Sequence, residues 1–273
     1  MLFALIRNSA HSGVLFAVGL VASLSVARAA LPAELESALK NLREQRSYAW
    51  EVINGDPGPV EQTIQTPRGA VTTVQRNTAP HVKARYSANG ELSLERDWPD
   101  GLAMQTFVAA DGAMATHTPE GWLSHQEILE AIATERLRPD GPTSRMSWLA
   151  RAEAVDTQRP SEELEPFVAP TRTFEVSGET YTCVVQIQPG NSATPGDESP
   201  AVGRAVVELH LEGGVLRDYE LKTEIVRYVT RAKLPIVNTG HRIVVISYRS
   251  VGRIAIPDEA RAKLTAGRPK PPG

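Results

Sequence analysis

The sequence has little cysteine, few aromatic residues and no excess of positive charge. Of its 273 residues, one is a cysteine, Cys183, and 5% are aromatic. A single thiol cannot form an internal disulfide, and it cannot build a cysteine-based zinc or iron–sulfur site. With 29 basic and 32 acidic residues, the chain also lacks the basic surplus typical of nucleic-acid-binding proteins. We therefore expect neither a disulfide scaffold nor a nucleic-acid partner.

Long hydrophobic runs are scarce too, and the one clear apolar segment lies at the N-terminus. Arg7 and His11 precede the apolar stretch Gly13–Val26, and Ala27-Arg28-Ala29 then offers small residues around a cleavage point. This order is typical of a secretory signal peptide. The apolar stretch would be only about 21 Å long as a helix, against a hydrocarbon core of about 30 Å. We predict a signal peptide over residues 1–29, cleaved near Ala29.

The expected product of cleavage is a soluble periplasmic protein. No cysteine lies near the cleavage point, so a lipid anchor has no attachment residue there. We also expect no transmembrane segment in the mature chain. The predicted organisation is a single domain over residues 30–264, with a mobile loop over 188–203 and a disordered tail over 265–273. An alternative interpretation divides the mature chain into two sub-domains near residue 139, where prolines and glycines interrupt the pattern.

Local patterns predict both helices and antiparallel strands. An apolar stripe at helical spacing begins the mature chain, and Ser124 with Glu127 forms the capping box of a later helix. Between them, β-favouring segments alternate with turns such as Asn89-Gly90 and Asp111-Gly112, which are strong hairpin signals. The predicted class is α+β, with one curved antiparallel sheet whose concave side is covered by the helices.

Longer strands are predicted in the last third of the chain. Apolar and polar residues alternate over Val215–Val226, as expected of a strand with one buried and one solvated face. In an earlier predicted strand, Tyr181–Ile187, Cys183 falls on the same face as Tyr181 and Val185, so its thiol is predicted to be buried.

Motifs for catalysis and metal binding are scarce. The sequence contains no G-x-S-x-G, S-x-x-K or H-E-x-x-H pattern. His117 and His125 lie eight positions apart and could hold a metal with Glu127 if the turn between them brought them together, although two exposed histidines are the simpler interpretation. We expect no catalytic residue, no metal and no cofactor. A hydrolase would require a histidine beside an aspartate or serine in a cleft.

Several motifs occur in an order that resembles a known family. Asp111-Gly112 leads to Gly121-Trp122 and a helix, and the chain closes with Val251-Gly252, Ile256-Pro257 and Glu259-Ala260. Together with the opening helix and an aromatic strand after it, this order resembles the LolA/LolB-like group of exported bacterial proteins, which includes lipoprotein carriers and lipid-binding lipoproteins. The resemblance implies an unclosed half β-barrel wrapped around a few helices.

The same resemblance implies a function. The concave side of such a half-barrel would hold acyl chains or another apolar ligand, so the first hypothesis is a periplasmic lipid-binding protein or carrier. The second is a non-enzymatic envelope interaction or sensor module of the same fold, with a filled cavity and a protein partner. The long 188–203 segment and the low aromatic content depart from the family pattern.

The predicted ligand-binding residues are apolar side chains of the strands and the capped helix. Each of them could equally belong to an ordinary filled core, and a ligand site would need a connected apolar cavity of at least about 300 Å³. The predicted set is Leu92, Leu94, Trp98, Phe107, Trp122, Ile128, Leu129 and Ile132.

Overall fold

A computed structural model describes residues 31–54, 60–66, 69–75, 79–138, 140, 143–169, 172–187, 202–229 and 234–266. The predicted signal peptide, residues 188–201 of the predicted mobile loop and residues 267–273 of the predicted tail lie outside the described residues.

The described residues form five helices, of which α2 begins at the cap predicted from the sequence. Ser124 caps the second helix through the predicted capping box: its Oγ accepts from the Glu127 amide at 3.3 Å, and its own amide donates to Glu127 Oε2 at 2.7 Å. The helices are α1 Ala33–Glu44, α2 His125–Arg136, α3 Ser144–Glu153, α4 Pro160–Glu163 and α5 Asp258–Ala266.

The described strands are antiparallel throughout. They are β1 Tyr48–Asn54, β2 Val60–Thr66, β3 Gly69–Gln75, β4 His81–Tyr86, β5 Leu92–Asp97, β6 Ala103–Val108, β7 Met114–Thr118, β8 Gly121–Ser124, β9 Glu175–Ser177, β10 Thr180–Ile187, β11 Val202–Glu212, β12 Val215–Val229 and β13 Leu234–Ser247.

Eleven of these strands form one open, curved sheet, as predicted from the hairpin signals. Its order is β8-β7-β6-β5-β4-β1-β13-β12-β11-β10-β9, and β2 and β3 pair separately. The first and last parts of the chain meet at the centre, where Trp50 of β1 lies opposite Ile246 of β13. Strands from both sides of residue 139 therefore belong to the same sheet.

Helices α1, α2 and α3 cover one side of the sheet, which we call the inner face. Leucines of α1 pack on Tyr48, Trp50 and Tyr219, and this is the largest cluster of buried residues. Leu149 of α3 and Ile128 of α2 form a second cluster with Met104 and Trp98. The inner face thus carries two adjacent apolar cores. Such burial stabilises the fold by roughly 25 cal/mol per Å² of apolar surface removed from water.

Helix α5 lies on the opposite side of the sheet, the outer face, which corrects the expectation that the helices cover only one side. Ala260 and Leu264 pack on Phe107 and Ala115. The strand period of two explains this placement: Phe107 and Thr106 point to opposite faces, and both are buried. An apolar side chain on the outer face, such as Phe107, must be shielded from water by another element, and α5 shields it.

The acidic segment that begins at Pro160 contains the short helix α4, because Pro160 suits a first helical turn and Glu162 Oε2 accepts from the Arg159 amide at 3.0 Å. Two predicted boundaries differ from the structure. Residues 202 and 203, predicted as loop, pair with β12 as the start of β11. Residues 265 and 266, predicted as disordered tail, complete α5.

Within the part of the chain that the structure describes, none of the helices combines the length and apolar character needed to cross a bilayer.

Candidate functional site

A pocket of about 180 Å³ lies on the inner face, between the sheet and the segment that follows α3. Its apolar wall is formed by Trp50 and Val52 of β1, Val82 of β4 and Leu94 of β5. Val52 lies directly opposite Val82, and Trp50 opposite Ala84, so these side chains share one face by strand register.

The polar part of the lining comes from four different regions of the chain. Asp156 and Gln158 follow α3, whereas Asn54 belongs to β1, Arg96 to β5 and Arg242 to β13. The pocket therefore depends on the packing of the α3 end against the sheet.

Arg96 is the most unusual of these residues, since only 3% of it is exposed although it carries a charge. Its Nη1 donates to the carbonyl oxygen of Arg151 at 2.8 Å, and its Nη2 donates to Thr106 Oγ1 at 3.1 Å. Its guanidinium carbon lies 5.2 Å from the centroid of the Trp98 ring. Burial lowers the pKa of Arg96 to about 10, which still leaves the side chain charged at neutral pH.

Arg242 forms the second charged side of the pocket and is linked to acidic partners. Its Nη1 lies 3.2 Å from Asp156 Oδ2 and 3.2 Å from Glu163 Oε1. Glu163 also accepts a hydrogen bond from the fully buried hydroxyl of Tyr219. Burial, together with the Glu163 carboxylate, raises the pKa of Tyr219 well above its usual value, so the phenol stays protonated as a donor.

Two other hollows lie on the outer face. One of about 330 Å³ is lined mostly by polar residues of β11, β12 and β13, among them Arg204, Lys222 and His241. The other, of about 220 Å³, lies between Glu95, Phe107 and the segment before α5. The wall of the inner-face pocket combines the Trp50 ring with three branched apolar side chains. The second hollow has a comparable apolar part in Phe107, Val251 and Ile254, whereas the first has Val206 as its one branched apolar side chain.

The structure separates the eight predicted ligand-binding residues into different surroundings. Leu92 and Leu94 belong to the core under α1, and Trp98, Ile128 and Ile132 belong to the core under α2 and α3. Phe107 and Trp122 stack on the outer face, with ring centroids 5.5 Å apart. Leu129 is half-buried on α2. Leu94 alone of the eight lines the inner-face pocket, and ligand contact by the set stays a prediction.

The alternative metal site at His117, His125 and Glu127 is not assembled. His117 packs against Trp122, with ring centroids 5.1 Å apart, and Glu127 binds Lys263 Nζ at 2.5 Å. Among the residues that the structure describes, no three His, Cys, Asp or Glu side chains converge as a metal ion requires.

Histidine–carboxylate pairs occur on the outer face. His210 pairs with Asp218, and His241 pairs with Glu220, across neighbouring strands. Cys183, the chain's one thiol, is buried on the inner face beside Val207, away from both pairs. These contacts are cross-strand hydrogen bonds between partly exposed side chains.

Sequence reasoning missed Trp50, Val52, Val82 and Arg96 as pocket residues. A signal for Arg96 was present, because it interrupts the inward-facing series Leu92, Leu94 and Trp98 with a charge. The other three look like ordinary strand residues, and only the register of β1 with β4 brings them together.

No protein-family model matches this chain, and no curated protein is significantly similar to it.

Proposed function

We propose that this chain is an exported, non-enzymatic binding protein that holds a small hydrophobic or amphipathic ligand in its inner-face pocket. The observation that carries the proposal is the apolar wall of Trp50, Val52, Val82 and Leu94 around an unfilled volume of about 180 Å³. Binding of a small hydrophobic ligand needs a dry apolar lining and a few polar groups that orient the ligand. Arg96 and Arg242 are suited to the orienting role.

The volume of the pocket limits the ligand. At about 180 Å³, the pocket is smaller than the cavity of at least about 300 Å³ that was expected of the ligand site from the sequence. The ligand we propose is correspondingly small: one short chain or the end of a longer one. A lipid with two acyl chains is too large to be enclosed. We therefore restrict the proposed ligand of a carrier to a molecule with a single alkyl or acyl chain.

An envelope interaction module is the second candidate, and a specific observation favours it. Helices α1, α2 and α3 fill most of the inner face with their own leucine and isoleucine side chains, of which Leu35, Ile128 and Leu149 are fully buried. A protein of that type would recognise its partner through loops or strand edges and would leave the pocket empty.

Native mass spectrometry on protein purified from cells distinguishes the two candidates. We expect the binding protein to retain a co-purifying small molecule, and Val82→Phe to remove it by filling the pocket. Val245→Phe is the matched control, because Val245 is exposed on the outer face. Wild-type protein that is empty at high recovery, and that takes up no single-chain ligand, would contradict the binding proposal and favour the interaction module.

A further inference from the structure

Arg96 is a buried cation whose hydrogen-bond partners are all neutral. Its guanidinium donates to two main-chain carbonyl oxygens, those of Arg151 and Ala154, and to the Thr106 hydroxyl. Within the described part of the chain, no carboxylate lies within ion-pair distance of it. A buried charge is costly unless it is paired and hydrogen-bonded, so an uncompensated guanidinium at a pocket wall requires an explanation.

Part of the explanation is structural. The carbonyl oxygens of Arg151 and Ala154 lie at the C-terminal end of α3, where the helix dipole is negative and favours a cation. The Trp98 ring adds a cation–π contact at 5.2 Å. These contacts account for Nη1 and Nη2 and fix the plane of the guanidinium.

The contacts of Nη1 and Nη2 leave the third nitrogen of the Arg96 guanidinium, Nε, without an acceptor. The Nε of Arg96 is buried and has no hydrogen-bond partner among the described residues, although Arg96 lines the pocket. Leaving a buried donor without a partner costs about 1–3 kcal/mol, and more for a charged group. A ligand oxygen in the pocket would remove that cost.

The charge balance of the lining gives the sign of the ligand. Arg242 lies 3.2 Å from both Asp156 and Glu163, so these carboxylates already match its charge, whereas Arg96 has no carboxylate within ion-pair distance among the described residues. Arg96 therefore leaves one positive charge of the lining without a partner, and a singly charged anion beside it would supply that partner. A doubly charged phosphate would meet Asp156 and the nearby Glu163, both of which pair with Arg242.

We propose that the pocket binds the carboxylate of a single-chain carboxylic acid, with Arg96 Nε donating to it and the alkyl chain lying against Trp50, Val52 and Val82. This inference rests on the proposed ligand-binding function and adds the chemical class of the ligand. The carboxylate supplies the missing acceptor, and the chain supplies the apolar surface that the wall can bury.

The test compares three ligands of equal chain length on the wild-type protein: decanoate, decanol and decyltrimethylammonium. Binding is measured by isothermal titration calorimetry at neutral pH. We expect decanoate to bind at least about tenfold more tightly than decanol, a difference of about 1.4 kcal/mol, and the cation to bind more weakly than either. In Arg96→Gln the preference for decanoate should fall to less than about twofold, whereas Arg249→Gln, an exposed position, should keep it.

The outcomes separate the two proposals. If none of the three ligands binds, both the proposed function and this inference are wrong. If decanoate and decanol bind equally, or the cation binds best, the ligand-binding function stands and the carboxylate assignment is overturned. The wild-type comparison decides the matter even if Arg96→Gln fails to fold.

Discussion

Arg96 Nη1 donates a hydrogen bond of 2.8 Å to the carbonyl oxygen of Arg151 and so ties β5 to the last turn of α3. The same guanidinium reaches Thr106 on β6, whose hydroxyl is hydrogen-bonded to that of Thr116 on β7 at 3.0 Å. One side chain thus connects three elements around the inner-face pocket. The arrangement gives Arg96 a structural role as well as the proposed contact with a ligand.

Replacing Arg96 tests the structural role. Arg96→Gln removes three donated hydrogen bonds and leaves the carbonyl oxygens of Arg151 and Ala154 without this donor. Because hydrogen bonds to charged groups contribute about 1.5–3 kcal/mol each and are not additive, we expect a loss of about 3 kcal/mol in the free energy of unfolding. Urea denaturation measures this loss. Arg249→Gln should stay within about 0.5 kcal/mol of wild type, and an equal effect at both positions would contradict the structural role.

The capping box of α2 gives a second prediction. Ser124→Ala removes the hydroxyl that accepts from the Glu127 amide, and we expect a loss of about 1 kcal/mol in the free energy of unfolding. Ser147→Ala is the control, because Ser147 is exposed within α3 and alanine favours a helix interior. That variant should be as stable as wild type or slightly more stable. The cap assignment is wrong if thermal melts show the opposite order.

Stability should decrease in acid partly through Glu135. Hydrogen bonds from the Thr143 hydroxyl, at 2.8 Å, and the Thr143 amide hold the pKa of Glu135 below its usual value. Since the folded pKa is below the unfolded one, this stabilisation is fully present above the unfolded pKa of about 4.3 and is lost as the pH falls through the folded pKa.

Glu135→Gln provides the measurement for that pH dependence. We expect the variant to be less stable than wild type at pH 7 and the difference to shrink as the pH falls below about 4. Urea midpoints recorded at successive pH values give the two curves. A difference that stays constant down to pH 3 would show that the Glu135 charge does not contribute.

The Cys183 thiol should be unreactive in the folded protein. Cys183 is only 1% exposed, and burial raises the pKa of its thiol, so little thiolate is present and reagents cannot reach it. We expect Ellman's reagent to react at least roughly a hundredfold more slowly with folded than with denatured protein. Similar rates in the two states would place the thiol at an accessible position.

Much of the fold could be predicted from local patterns, because strand alternation and helix caps depend on residues that are close together in the sequence. The alternation around Cys183 predicted its shared face with Tyr181 and Val185, and the burial of all three is confirmed. The S-x-x-E spacing predicted the cap of α2, which is also confirmed.

The site could not be predicted in the same way, because it depends on contacts between distant parts of the chain. A period of two divides a strand into two faces but does not say which segment covers each of them. Phe107 was therefore grouped with Leu94, although Phe107 lies on the outer face under α5 and Leu94 belongs to the inner-face core. The pocket needs Trp50, Leu94 and Arg242 together, and this is decided by strand order and by the path of the chain after α3.

The central claim is that the inner-face pocket holds a single-chain ligand, and a crystal of the protein with a bromine-labelled decanoate tests it most directly. The anomalous signal locates the bromine without reference to any assumed binding mode. Our account predicts a bromine peak at the apolar wall formed by Trp50, Val52 and Val82, with the carboxylate density beside Arg96. A peak only in the outer-face hollows, or no peak at saturating ligand, would contradict it.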